Sequence, residues 1–238
     1  MDSGKSPQKR QSPQVREAAT IRCSAVLFDL DGVLIDSTPA VQRVWTQWAT
    51  RHRLDPDAVV KHVHGRPSLS TVRHFLPDAD HGLENREIER REIEDTRGIV
   101  VLPGAVELLT TLPSRRWTIA TSCTSRLAEA RLRAAGLPTP PCILTASDVA
   151  RGKPDPEPFL KAAAKLGFHA SDCIVCEDVP AGVLAGKAAG ARVVALRTTF
   201  PEADLLAAGA DFIVDSCKNI SVVESTDSLV LQLDCIKA

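Results

Sequence analysis

Short apolar runs recur along the chain at residues 25–29, 117–121, 142–145, 173–177, 192–196 and 211–214. Between them lie longer segments with the 3.6-residue spacing of helices, at 103–112, 125–135, 156–166 and 180–189. Their ends carry the expected punctuation, Pro103 opening the first and Gly136, Gly167 and Gly190 closing the others. Strands alternating with helices predict right-handed crossovers and a parallel sheet covered on both faces, a doubly wound Rossmann-like α/β fold.

The alternation fails once. Residues 30–116 separate the first two runs, far more than one crossover helix needs. Within them Val41, Val44, Trp45 and Trp48 share one stripe behind a start signal of Ser37, Thr38 and Pro39. Further helices are expected at 56–62, 67–76 and 84–97, the last with the alternating charges of a solvated face. We therefore read residues 36–101 as an all-helical inserted cap, its tryptophans in the cap's own core. The α/β core occupies 20–35 and 102–238. Residues 1–19, rich in Ser, Pro, Gln and Lys/Arg, read as a disordered tail. Asp2, Pro7 and Pro13 argue against an amphipathic mitochondrial presequence.

Composition narrows the function classes. With 238 residues, 44% of them hydrophobic, the chain can bury a full core, and a formal net charge of −1 offers no general attraction to nucleic acid or anionic membrane. No apolar stretch of spanning length and no signal peptide is present, which predicts a soluble, cytoplasmic protein. Seven cysteines, an odd number, fit reduced thiols. The Cys173/Cys176 pair lies inside an apolar run and reads as small buried hydrophobes, and His62 with His64 lacks a third ligand for a metal.

Polar residues collect just past the carboxyl ends of the predicted strands, where open parallel sheets bind ligands. They are Asp29 and Asp31 after the first, Ser122 after the second, Lys153 beyond the third, and Glu177 with Asp178 at the fourth. Singly each has a structural explanation in turns or caps. Together, carboxylates, a hydroxyl and a cation at one sheet edge suit a phosphoryl group accompanied by a divalent ion.

These residues stand in four ordered motifs: Asp29-Leu30-Asp31-Gly32-Val33, Ser122 ending "IATS", Lys153 in "GKP", and the acidic pair Glu177-Asp178 in "CEDVPAG". In this the chain resembles the haloacid dehalogenase-like superfamily, from residue 23 to about 215. The resemblance implies a Rossmann-like core with a helical cap after the first strand, and it implies a set of roles. Asp29 attacks phosphorus and becomes an aspartyl-phosphate, splitting one hard hydrolysis into two steps. Asp31 protonates the leaving alkoxide, then activates water. Ser122 and Lys153 hold phosphoryl oxygens. Mg²⁺ sits on the Asp29 side chain, the Asp31 carbonyl and the Asp178 side chain, with Glu177 as a nearby helper.

Within the superfamily, a carboxylate two residues after the nucleophile points to phosphate esters rather than halides or phosphonates. β-Phosphoglucomutase-like enzymes usually carry a histidine where this chain has Val41, which favours hydrolysis over mutase chemistry. Cap and core segments are most similar to glycerol-3-phosphate phosphatases and 2-deoxyglucose-6-phosphate (sugar) phosphatases. In the cap, His64, Gly65 and Arg66 are the expected specificity loop, in an order shifted from the glycerol phosphatases' own. The expectation is a monomeric, Mg²⁺-dependent phosphatase of a small polyol or sugar phosphate, of glycerol-3-phosphate or hexose-6-phosphate type. A sugar phosphomutase, a protein phosphatase and an inactive regulatory relative are the alternatives.

Overall fold

The computed structural model describes residues 16–63, 66–225 and 228–237. The strands are β1 (Glu17–Cys23), β2 (Ala25–Phe28), β3 (Ile35–Asp36), β4 (Val100–Val101), β5 (Trp117–Ala120), β6 (Ile143–Leu144), β7 (Cys173–Glu177), β8 (Arg192–Leu196), β9 (Phe212–Val214), β10 (Ile220–Glu224) and β11 (Leu229–Lys237). The helices are α1 (Thr38–Arg51), α2 (Pro56–Val63), α3 (Ser68–Phe75), α4 (His81–Glu94), α5 (Ala105–Thr111), α6 (Ser125–Ala135), α7 (Glu157–Leu166), α8 (Pro180–Ala188) and α9 (Glu202–Ala207).

The central sheet runs β9-β8-β7-β2-β5-β6, all parallel, with β2 at its middle. Successive residues of its strands point to opposite faces, and both faces are apolar. Val26, Phe28, Ile119, Ile174, Cys176 and Val194 join α5 and α6 in one core, while Ala25, Leu27, Val175 and Val193 join α7, α8 and α9 in the other. That two-sided burial is why these strands are continuous apolar runs rather than alternating ones. From β2 the chain proceeds to β5 and β6 on one side, then crosses to β7, β8 and β9 on the other. The strand order therefore reverses between β2 and β7, which opens a crevice beyond their carboxyl ends.

Both ends of the chain depart from the expected elements. The expected tail covers residues 1–19, of which 1–15 lie outside the described residues, but Glu17–Ala19 already belong to β1, which pairs antiparallel with β11. Beyond residue 214, β10 and β11 add an antiparallel extension, β11 joining the parallel sheet along β9. In β11, Leu229, Leu231, Leu233 and Cys235 are buried and the residues between them are not, the period of two of a strand with one wet face.

Among the described residues between 38 and 94 lie four helices, α1 to α4. The chain leaves for them along β3 and returns along β4, and these two short strands pair antiparallel, Ile35 with Val101 and Asp36 with Val100. The insert has its own core of Val44, Trp45, Trp48, Val59, Val72 and Ile88, with the two indole rings packed edge to face at 5.3 Å. No helix among the described residues is long and apolar enough to cross a membrane. All seven cysteines are free, Cys173 and Cys176 among the buried ones. His62 stacks on His74 with ring centroids 4.3 Å apart, and His64 lies outside the described residues.

Candidate active site

The parallel strands end together, so their next residues meet. Asp29 follows β2, Ser122 lies two residues past β5, and Glu177 ends β7 with Asp178 next. After Asp29 the chain turns at once. Leu34 N donates to Leu30 O and Gly32 N to Ile35 O, and Gly32 holds a φ of 78°, a left-handed conformation that a side chain resists. A Cβ there would also lie 1.8 Å from Asp178 Oδ2, so the glycine is needed for β2's turn and β7's acidic pair to approach one another.

Lys153 reaches this cluster from the loop after β6. Its ammonium is 2.8 Å from Asp29 Oδ1 and 2.6 Å from Glu177 Oε1, and its side chain is 3% exposed. Burial alone would lower its pKa, yet the two carboxylates more than offset that and hold it charged above the usual lysine range. Glu177 is fully engaged. Its Oε1 takes the ammonium, and its Oε2 accepts the Asp178 and Val179 amides at 2.8 and 3.1 Å. Gly182 on α8 makes room for it, since a Cβ at that position would meet Glu177 Oε1 at 1.8 Å.

Asp29, Glu177 and Asp178 offer oxygens within 4.8 Å of one another, and all three residues are buried. Asp178 Oδ1 is buried without a hydrogen-bond partner among the described residues. Burial pushes the Asp29 carboxyl up to about 7 despite Lys153, with Glu177 and Asp31 adding to the rise, and burial with Glu177 and Asp29 pushes Asp178 well above the carboxylate range. Three carboxylates against one ammonium leave a formal −2 when all are ionised. An all-oxygen cluster with that excess charge and an orphaned buried oxygen fits a hard divalent cation. Because Glu177 is already satisfied, the unspent lone pairs belong to Asp29 and Asp178.

Asp31 lies on the insert side of the same crevice. Ser37 Oγ donates to its Oδ1 at 2.6 Å, while Arg131 Nη1 and Cys123 Sγ approach its Oδ2 at 2.7 and 3.1 Å. Ser37 stands at the N-cap of α1 but makes no side-chain bond to the helix amides, its hydroxyl serving Asp31 instead.

All of these side chains except Glu177 border one cavity of about 160 Å³, together with Ser122 and Thr199 from the core and Val41, Trp45, Arg66 and Glu89 from the insert. Arg66 is exposed at its rim; His64 and Gly65, expected beside it, lie outside the described residues. Trp45 both packs in the insert and faces the cavity, whereas Trp48 is wholly interior. The helix expected as a solvated face, observed as α4, is so only in part. Glu92 is buried, and Glu89 accepts a hydrogen bond from Thr124 Oγ1 of the core at 2.5 Å. Arg131, Glu92, Glu89, Ser37 and Thr199 were not anticipated. One signal was available: Arg131 interrupts the apolar stripe of Leu127, Ala128 and Leu132 on α6, and Glu92 stands four residues after buried Ile88 on α4.

Comparison with known proteins agrees with this geometry. The family model for haloacid dehalogenase-like hydrolases matches residues 23–190. Hexitol phosphatase A of Escherichia coli is 41% identical over 216 residues, 89% of this chain and 99% of the relative. Glycerol-1-phosphate phosphohydrolase 1 of Saccharomyces cerevisiae is 35% identical over 240 residues, 93% and 95% of the two chains. Among solved structures, a family IA, variant 3 hydrolase from Entamoeba histolytica superposes with a TM-score of 0.73 at 29% identity, over 83% of this chain and 95% of the other. The chain belongs to the haloacid dehalogenase-like hydrolases, among the phosphatases of that family.

Proposed function

We propose that this enzyme hydrolyses the phosphate monoester of a small polyol or sugar, with Asp29 as nucleophile and Mg²⁺ as cofactor. The observation that carries the reading is the meeting of Asp29, Lys153 and Asp178 on the lining of a cavity that the helical insert also lines, with Glu177 paired to Lys153 out of the cavity's reach. Asp29 attacks phosphorus to give an aspartyl-phosphate, and Asp31 gives a proton to the departing alkoxide and then takes one from the water that frees the phosphate. Lys153 and Ser122 bind phosphoryl oxygens and offset charge as it grows. Asp29, Asp178 and the Asp31 backbone carbonyl would hold the Mg²⁺, which supplies charge neutralisation at the transferring phosphoryl group. Glu177, both oxygens engaged, keeps Lys153 and the Asp178 backbone in place.

The insert acts as a cap that judges the leaving group. Its wall offers carboxylate and hydroxyl acceptors, Glu89, Ser68 and Thr38, with Arg66 at the rim. That pattern suits a neutral chain of hydroxyls, whose O–H groups donate to such acceptors. The hexitol and glycerol phosphate specificities in the relatives' names support the same class. Val41 faces the cavity where a mutase-like enzyme would need a titratable group, which supports hydrolysis over phosphoryl transfer between sugars. A cavity of about 160 Å³ walled by a helical domain suits a small molecule rather than a residue on a folded protein.

A phosphate-release screen over glycerol, alditol and hexose phosphates, with Mg²⁺ and with excess chelator, tests this. Turnover of at least one polyol or sugar phosphate, lost on chelation, is expected. Activity confined to phosphopeptides, or undiminished by chelator, would overturn it.

A further inference from the structure

Arg131 is a buried cation that none of the steps above uses. It lies on α6 among Leu127, Ala128 and Leu132, its side chain 7% exposed. Burial would lower its pKa, but Asp31, the Cys123 sulphur and Glu92 outweigh that and keep it charged. An aliphatic side chain would fill this position without the penalty of burying a charge. What the guanidinium does is reach in two directions. Nη1 donates to Asp31 Oδ2 at 2.7 Å, and Nη2 lies 3.6 Å from Glu92 Oε1.

Glu92 belongs to α4 of the insert, and the same Oε1 accepts Trp45 Nε1 of α1 at 3.1 Å. Arg131 belongs to the core. A buried chain of contacts, Trp45–Glu92–Arg131–Asp31, therefore crosses from insert to core and ends on the carboxylate read above as the acid and base. Among the described residues Arg131 Nε has no hydrogen-bond partner, so the group is placed for where its Nη atoms point rather than for its own full satisfaction. On the core side, the other contact to Asp31 Oδ2 is the Cys123 thiol, a weak donor that could not hold a carboxylate in one rotamer unaided.

We propose that Arg131 is the positioning residue for Asp31, and that Glu92 makes this positioning depend on the seating of the helical insert. The inference rests on the reading of Asp31 as acid and base. Asp31 must meet a leaving oxygen whose place is set by the cap, so fixing its carboxylate through a cation that the cap also grips keeps proton donor and leaving group in register. Ser37 secures Oδ1 from the first turn of the insert, and Arg131 secures Oδ2 from the core.

The test compares two substrates that differ in their need for a proton: glycerol phosphate, with a poor alkoxide leaving group, and p-nitrophenyl phosphate, whose leaving group departs almost without one. The variants are Arg131→Met, Glu92→Gln, Arg131→Lys and, in parallel, Asp31→Asn. In Arg131→Met, kcat/KM for glycerol phosphate should fall by about tenfold or more while that for the aryl ester falls by about threefold or less, because kcat/KM reports the steps up to departure of the leaving group and not the later hydrolysis of the aspartyl-phosphate, which both esters share. Glu92→Gln should show the same selectivity to a smaller extent, and Arg131→Lys should recover part of the loss. Should Arg131→Met fail to fold, Glu92→Gln and Arg131→Lys carry the comparison. Equal losses of kcat/KM on both esters, or a change confined to thermal stability, would reduce Arg131 to a clamp between insert and core and overturn the proposal. Absence of selectivity in Asp31→Asn itself would instead show that the acid–base reading had failed.

Discussion

Lys153 Nζ stands 2.8 Å from Asp29 Oδ1, its side chain 3% exposed and that of Asp29 11%. The contact joins the loop after β6 to the end of the central strand, and water hardly reaches it. Removing one partner of such a buried pair strands the other charge. Lys153→Met should lower the stability of the metal-free protein by about 3–5 kcal/mol, read from urea denaturation. A loss below about 1 kcal/mol would mean that the site is wetter or more relaxed than the geometry shows.

Gly182 is the cheapest place to disturb the same cluster. Alanine suits a helix interior better than glycine by about 0.5–1 kcal/mol, so Gly182→Ala would stabilise an ordinary helix. Here the added methyl would sit 1.8 Å from Glu177 Oε1 and must displace the carboxylate that holds Lys153. We expect a net destabilisation of about 1–3 kcal/mol with a fall in activity, and a rise in melting temperature would contradict the packing described.

A divalent cation should stabilise the fold, because its oxygens are already gathered at a cost in mutual repulsion. Thermal unfolding with and without Mg²⁺ measures this. Wild-type protein should melt higher with Mg²⁺. Asp178→Asn should lose that increment and, having one fewer buried anion beside Asp29 and Glu177, should be no less stable than wild type without metal. An equal Mg²⁺ effect in both proteins would place the ion elsewhere.

Burial raises the Cys23 thiol to about 11 and the Cys173 and Cys217 thiols to about 12, against an ordinary value of 9.0. Folded and unfolded states therefore hold these protons alike below pH 9. As pH climbs from there towards 11 and 12 the unfolded chain loses them first, so stability should fall over that window. Under native conditions at pH 8, alkylation should reach half-buried Cys142 first and the other six only on unfolding. Rapid labelling of Cys173 or Cys176 in the folded protein would argue against their place in the sheet.

Much of this was legible in the sequence because the parallel strands are buried on both faces. Strands such as 173–177 and 192–196 then stand out as apolar runs, and polar residues at their ends can only belong to the crevice. The site's floor was readable for the same reason, and the insert from the break in alternation. What was missed depends on partners distant in sequence. β1 carries an exposed face and is recognisable as a strand only through β11, more than two hundred residues away. Ser37 looks like a helix cap until Asp31 claims its hydroxyl. Glu92 belongs to a run of charges that is largely solvated, and its burial depends on Trp45 of α1 and on Arg131, brought over by the docking of α4 on α6. Local pattern reports burial and period; it carries no word of which element a polar side chain will face.

A nucleophile at Asp29 makes one demand above the others, and the turnover number of Asp29→Asn on the best polyol or sugar phosphate measures it. Asparagine keeps the shape and removes the attacking charge. The kcat should fall by about three orders of magnitude or more while the protein remains folded. Turnover within about tenfold of wild type would rule Asp29 out as the nucleophile, since loss of an essential nucleophile cannot be that mild.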